Sequence, residues 1–265
     1  MDLRGWKYTG RNIGEELHRH FRIMIDCLSQ PSFVKNHAWG SAIQDDLAKK
    51  MKMSSSGAVR TVKKICENFG FINYGAVNSK LEIDCKNILT PRGQIVYEVA
   101  ILEHEINKSD LLGATAKEKA LTEVKTLYEE AYCESLMYYY FNNEDGTYLS
   151  PLRATLKALQ KYERMDKWEW YLMNTFICHD DSKEEEKILD EHIHAYRKGA
   201  LNLSMSNVIK NPKGHQYTPQ HFEFAGLLHV TKRPEWSISD SMKHQDIKEK
   251  VLRNDFISLL RKGDT

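Results

Sequence analysis

Apolar positions near the start of the chain recur at helical spacing. Ile13, Leu17, Phe21, Met24 and Leu28 form one stripe, which predicts a helix over residues 13–29. Asn12 followed by Glu15 has the form of a capping box, and Pro31 ends the segment. Ile43, Leu47 and Met51 mark a second, short helix beginning near Ser41. The break at Met53-Ser54-Ser55-Ser56 offers capping serines to a third helix carrying Val59, Val62, Ile65 and Phe69. Gly70 stands where a helix stops in a left-handed conformation. Phe71–Tyr74 and Lys80–Asp84 then alternate as two short strands around Gly75 and Asn78-Ser79, predicting a hairpin. Thr90-Pro91 opens another helix, with threonine as cap and proline in the first turn. Helix, turn, helix, hairpin, helix is the order of a winged helix-turn-helix.

The rest of the chain returns to this pattern. A helical region from about Lys117 to Phe141 ends in the tyrosine run 138–140, and Asn142–Gly146 is a loop. Ser150-Pro151 opens a helix with Leu152, Leu156 and Leu159 on one side. Another, from Met165 to Ile177, carries Trp168, Trp170, Tyr171, Leu172 and Phe176, which read as core. A polar-faced helix is expected from the His179–Ser182 turn to about Lys210. Asn211–Gly214 reads as a turn and Tyr217–Gly226 as a short helix. Leu227–Thr231 and Ser237–Ser239 read as a hairpin around Arg233-Pro234, before a closing helix with Ile247, Val251 and Leu252. The expected architecture is mainly α with small β-hairpins (α+β): two winged helix-turn-helix-like subdomains joined by a helical linker region. The boundaries fall at 1–110, 111–145 and 146–265.

Composition changes this picture little, but the distribution of charge changes it more. The chain is 41% hydrophobic and 28% charged with a net charge of +1, which is ordinary for a globular protein. No apolar run is long enough to span a bilayer, and the start lacks a signal-peptide core. The five scattered cysteines, without CxxC spacing, disfavour a disulfide framework or zinc cluster and suit a reducing cytoplasm. Between Lys49 and Arg92, however, nine basic residues face three acidic ones. From Glu98 to Asp145 eleven acidic residues face four lysines. A neutral total that separates into a basic and an acidic block points to one face that meets a polyanion.

An α-helix fits the major groove of duplex DNA, with its amino-terminal side chains reaching base edges. The serine-led helix therefore offers Ser54, Ser55, Ser56, Arg60, Lys63 and Lys64 as DNA-binding candidates. The planar fork of Arg60 suits guanine O6 and N7, while Lys63, Lys64 and Lys80 suit phosphates. The later helix adds Lys213, His215, Gln216, Tyr217, Gln220 and His221, and the start of the chain adds a basic arm of Arg4, Lys7 and Arg11. Catalytic and metal-ligating residues are not expected. Glu82-Ile83-Asp84-Cys85-Lys86 contains the common D-x-K string of metal-dependent nucleases but has no acidic partner strand before it. His192 and His194 at i, i+2 do not share a helix face, and His179-Asp180-Asp181 reads as a helix-start turn. Walker, GxGxxG, GxSxG and HExxH motifs are absent.

Three segments resemble the recognition region of type IIS restriction and nicking endonucleases of the AlwI-like group. They are Arg4-Gly5-Trp6-Lys7-Tyr8-Thr9-Gly10-Arg11-Asn12, then Tyr148 to Leu156 with Lys167-Trp168-Glu169-Trp170-Tyr171 through Phe176, and Tyr217 to Leu228. The resemblance implies two winged-helix-like subdomains with a helical link, and a prokaryotic, cytoplasmic protein that binds an asymmetric site on double-stranded DNA as a monomer. It also implies cutting by a separate Mg²⁺-dependent domain or subunit beyond Thr265, so the chain itself is expected to need no cofactor. The alternatives are a winged-helix transcriptional regulator, which would be a symmetric dimer on a palindrome, and a helical interaction scaffold using the tyrosines and acidic face. An intact nuclease built on Glu82, Asp84 and Lys86 is a fourth.

Overall fold

The computed structural model describes residues 1–8, 10–35, 37–143, 147–209 and 213–262, without the side chains of 213, 214, 259, 261 and 262. The chain is mainly helical with small antiparallel sheets, and it separates into two compact units. One comprises Arg11–Ser135; the other joins Met1–Gly10 to Leu136–Thr265. The expected loop Asn142–Gly146 and turn Asn211–Gly214 lie partly outside the described residues.

In the first unit, α1 (Glu15–Leu28) buries Leu17, Phe21, Met24, Ile25 and Leu28. The capping box does not form. Gly14 occupies the N-cap position without a side-chain bond, and Glu15 and Glu16 meet the positive end of the helix instead. A single turn, α2 (Pro31–Val34), leads to α3 (Ser41–Met51) and α4 (Ser56–Asn68). Helices α1, α3 and α4 pack on one another through Leu47 and Met51 of α3 and Val59, Val62 and Ile65 of α4, all fully or almost fully buried. The turn between α3 and α4 closes with Lys52 in the left-handed region (φ 57°) and the Met53 N–H bonding Ala48 O at 2.9 Å. Ser55 is the N-cap of α4, but no serine side chain caps the helix. Gly70 ends it as expected (φ 67°), with Gly70 N–H on Glu67 O and Phe71 N–H on Cys66 O at 2.9 and 2.8 Å.

The hairpin expected over 71–74 and 80–84 is not formed in that register. Ile72 instead bridges Leu89, and Glu82 bridges Ala38, both antiparallel. Val77 and Ile83 are buried, so the excursion folds back on the helices and does not extend as a ladder. It closes where Thr90 caps α5 (Pro91–Lys108). The Thr90 hydroxyl accepts from Gly93 N–H at 2.9 Å and donates to Gly70 O at 2.5 Å, tying the end of α4 to the start of α5. Gly93 lies against the Phe71 carbonyl so closely that a β-carbon there would overlap it. α6 (Ala114–Met137) buries Val124, Tyr128 and Tyr132; Tyr132 meets Phe69 and Phe71 edge-on.

In the second unit, β1 (Phe141–Asn142) pairs with β2 (Tyr148–Leu149). Ser150 caps α7 (Pro151–Tyr162), which is buried along most of its length. Then come β3 (Arg164–Asp166), α8 (Lys167–Phe176), α9 (Lys183–Arg197), α10 (Lys213–Phe224), β4 (Leu228–Thr231), β5 (Ser237–Asp240), α11 (Gln245–Leu252) and α12 (Phe256–Lys262). The three strands form an antiparallel sheet in the order β3-β5-β4, with Met165 opposite Ile238 and Ile238 opposite Val230, all buried. α9 stops at Arg197, short of the expected Lys210, because Gly199 (φ 70°) takes the left-handed position after its C-cap. The opening residues belong to this unit. Leu3 bridges Val208, and the Trp6 indole stands edge-on to Trp170 and donates to Ile177 O at 2.8 Å.

A buried arginine holds the end of this unit in place. Arg153 on α7 is 1% exposed; its guanidinium donates to Val251 O at 2.5 Å, Arg253 O at 2.9 Å and the Asp181 carboxylate at 3.1 Å. Removing it orphans buried acceptors, so Arg153→Met should cost about 3–5 kcal/mol of unfolding free energy in urea titrations. Gly93→Ala should cost the first unit about 1–3 kcal/mol, because the backbone of Phe71 has to move.

Candidate nucleic-acid interface

α4 buries Val59, Val62, Ile65 and Cys66, so the 3.6-residue period turns Gly57, Arg60, Thr61 and Lys64 away from the core. Arg60 and Lys64 are exposed, and the spacing i, i+3, i+4, i+7 sets the four in one row. Ser54 and Ser55 are exposed just before the helix and Ser56 is half-buried in its first turn. No carboxylate interrupts the row. The Arg60 guanidinium is steadied by Gln44 Oε1 on α3 at 3.4 Å, a neutral partner that leaves its charge available. Gly57 and Thr61 were not candidates in the sequence. Their spacing from Arg60 and Lys64 was the available signal.

Lys63 departs from expectation. It pairs with Glu67 at 2.7 Å and its ammonium lies 6.0 Å from the Trp39 ring centroid, with only 16% of the side chain exposed. Glu67 is its i+4 neighbour, so the pair was readable, and Lys63 is not a ready phosphate ligand. Lys80 is exposed on a turn shaped by Asn78, whose Oδ1 accepts from the Lys80 and Leu81 N–H groups at 2.6 and 3.0 Å. Tyr74 is fully exposed nearby in the sequence. Arg11 is drawn to Glu16 at 2.9 Å and is 20% exposed. Arg4 and Lys7 are exposed but belong to the second unit, Arg4 with its backbone N–H on Thr175 Oγ1 at 3.0 Å.

On α10 the expected residues divide. Gln216 and Gln220 are exposed one turn apart, and Tyr217 is half-buried over Gly10, where its ring leaves no room for a β-carbon. His215 and His221 are inside the protein, 2% and 0% exposed, and neither can reach a duplex. His215 stacks on Tyr171 at 3.8 Å between ring centroids, and His221 bonds the Tyr8 hydroxyl. The side chain of Lys213 lies outside the described residues.

The acidic strings that might suggest metal or catalytic chemistry are engaged in local bonds. Asp84 accepts from the Lys86 N–H at 3.1 Å and the Asn87 amide at 2.7 Å, and the Asn87 bond is the main cause of its lowered pKa. His192 and His194 each direct Nδ1 to a carbonyl one turn back, Ile188 O at 2.7 Å and Asp190 O at 3.0 Å. Among the described residues no group of three His, Cys, Asp or Glu could hold a metal ion, and no helix is long and apolar enough to cross a membrane.

A cavity of about 260 Å³ between α7 and α9 contains the most perturbed carboxyl. Burial pushes Asp180 up to about 7 although the Ser150 N–H bonds it at 2.7 Å. The surrounding charges form a bracing network: Lys157 with Asp181 and with Glu186 at 3.2 Å, Lys161 with Asp190, and His179 with Glu185 at 2.5 Å.

No protein-family model matches the chain, and no curated protein sequence matches it.

Two buried groups of the second unit give opposed pH effects. Burial lowers His215 to about 4, so its unfolded form binds more protons below pH 6.5 and stability falls as pH drops from 6.5 toward 4. Asp180, raised from 3.8 to about 7, binds more protons when folded, so its contribution declines as pH rises from about 4 and is gone above 7. Each effect is on the order of 3 kcal/mol, and together they flatten the profile between pH 4 and 6.5. His215→Phe should make stability decline with rising pH across that range, and Asp180→Asn should make it rise, as read by urea titrations at stepped pH.

Proposed function

We propose that this chain recognises double-stranded DNA, with α4 as a major-groove helix. The observation that carries the reading is the row Gly57, Arg60, Thr61, Lys64 on the outer side of the second helix of a helix-turn-helix pair. Its composition suits the task. Glycine lets the backbone approach closely, arginine matches the two acceptors of a guanine edge, threonine can bond or touch a thymine methyl, and lysine neutralises a phosphate. A solvated helix face usually mixes both signs of charge, whereas this one carries only positive charge.

The wider reading is two winged-helix-like modules. In the first unit α1, α3 and α4 form the three-helix core and the excursion between Gly70 and Thr90, with Lys80, stands in for the wing. In the second, α7, β3, α8, α10 and the β4-β5 hairpin follow winged-helix order, with α9 inserted before α10. There Gln216 and Gln220 suit adenine edges, and in the hairpin loop the exposed Arg233 suits a phosphate, beside Lys232, which is exposed but within 3.7 Å of Glu223. Together with the AlwI-like segments, this supports a target-recognition region of a type IIS restriction or nicking endonuclease. It binds an asymmetric site as a monomer in a prokaryotic cytoplasm, and a separate Mg²⁺-dependent nuclease domain or subunit cuts.

A selection on random duplexes with the purified chain tests this. The expected result is one asymmetric consensus bound by a monomer, with affinity falling steeply as salt rises. A palindrome bound by a dimer would favour a regulator, and absence of selection would remove DNA recognition. On the selected site Arg60→Ala should cost about 1–3 kcal/mol and relax preference at one base pair. Lys80→Ala should weaken all sequences equally.

A further inference from the structure

Between α2 and α3 lies a cleft of about 460 Å³, lined by Ser32 and Phe33 of α2, Lys35, and Asp46, Lys49 and Lys50 of α3. Three ammonium groups and one carboxylate share a small concavity with a serine and a half-buried phenyl ring. Among the described residues Asp46 pairs with Lys49 alone, at 3.3 Å, and both side chains are largely exposed. Among the described residues Lys35 and Lys50 have no ion-pair partner.

Lysines in a last helical turn often serve the helix itself by meeting its free carbonyls. Here that work is done by other groups. Ala48 O accepts from Met53 N–H at 2.9 Å, Lys49 O from Lys52 N–H at 3.2 Å, and Met51 O takes His20 Nε2 at 3.2 Å and the Arg19 guanidinium at 3.4 Å. Three of the last four carbonyls of α3 are thus met without a lysine ammonium, which leaves Lys50 for an external group, with Lys49 beside it in an exposed pair with Asp46. Lys35 is held at the rim by its own backbone: it takes the left-handed C-cap of α2 (φ 50°), with its N–H on Pro31 O at 2.8 Å. A compact, strongly hydrated anion with several acceptor oxygens matches this set, and a planar carboxylate, better served by an arginine fork, does not.

We propose that this cleft is a phosphate seat, and that it takes a backbone phosphate of the duplex read by α4. This rests on the DNA reading above. The first helix of a helix-turn-helix pair crosses the DNA backbone while the second enters the groove, which gives α3 this role. A phosphate seat adds affinity without sequence preference and fixes the register of α4 on its site. The phosphates of a free nucleotide share the same chemistry, and the test separates the two sources.

The double variant Lys35→Asn, Lys50→Gln removes two charges, and asparagine keeps the left-handed backbone accessible. Circular dichroism and urea titration check that it folds as wild type. On the selected duplex the slope of log affinity against log salt should fall by about 1 in magnitude, with base preference unchanged and with Arg60→Ala leaving that slope intact. ADP and inorganic phosphate, titrated without DNA, should bind only at millimolar levels. An unchanged slope in a chain that binds DNA overturns the proposal while leaving α4 recognition standing. ADP binding that is tight and lost in the double variant, with an unchanged slope, overturns the duplex source and assigns the seat to a nucleotide. Failure of the wild type to bind any duplex removes both readings together.

Discussion

The first unit depends on one constraint: α4 has to bury Val59, Val62, Ile65 and Cys66 against α1 and α3. These four residues set its rotation about its own axis. Burying each large aliphatic side chain contributes roughly 1.5–3 kcal/mol, so turning the helix to expose Val59, Val62 and Ile65 would forfeit about 5–9 kcal/mol, comparable with the whole stability of a typical domain. Everything on the outer side follows from that choice. Gly57, Arg60, Thr61 and Lys64 face outward because the inner positions are committed, while Lys63 falls at the edge and is taken by Glu67 and Trp39. Gly70 and Thr90 then fix the other end of the helix to α5.

Sequence reasoning succeeded where the determinants are local. Thr90-Pro91 and Ser150-Pro151 start helices because the cap and the proline act within one turn. Gly70 stops α4 because the left-handed position follows directly upon its last turn. The apolar row Val59, Val62 and Ile65 fits the inner face of α4 and leaves Arg60 and Lys64 exposed, although Lys63, grouped with them in the sequence, falls at the edge. Such reasoning failed where distant partners decide. Nothing near His215 or His221 in the chain announces Tyr171 or Tyr8, which enclose them. The excursion after Phe71 alternates like a hairpin, but burial of Val77 and Ile83 and pairing with Ala38 and Leu89 prevail over that pattern. Other errors ignored visible signals, such as Glu67 four residues after Lys63 and Gly199 within the supposed long helix.

The second unit is organised by charge inside as well as outside. Arg153 joins α7 to the end of α11 and the Asp181 turn, while Lys157 and Lys161 link α7 to the carboxylates of α9. The charged side chains near the cavity are engaged with one another across these helices, including His179 with Glu185 and Asp181 with Arg153 and Lys157. On α10 and the β4-β5 loop Gln216, Gln220 and Arg233 are exposed, and Lys232 lies 3.7 Å from Glu223.

Guanine N7 lies in the major groove and is one of the two acceptors an arginine fork takes, so methylating it tests the orientation of α4 directly. Methylation interference on a bound duplex, compared between the wild-type chain and Arg60→Ala, should show one guanine whose modification blocks the wild type and no longer matters to the variant. Interference that is identical for both proteins, or confined to minor-groove adenine N3, would contradict the placement of this helix on DNA.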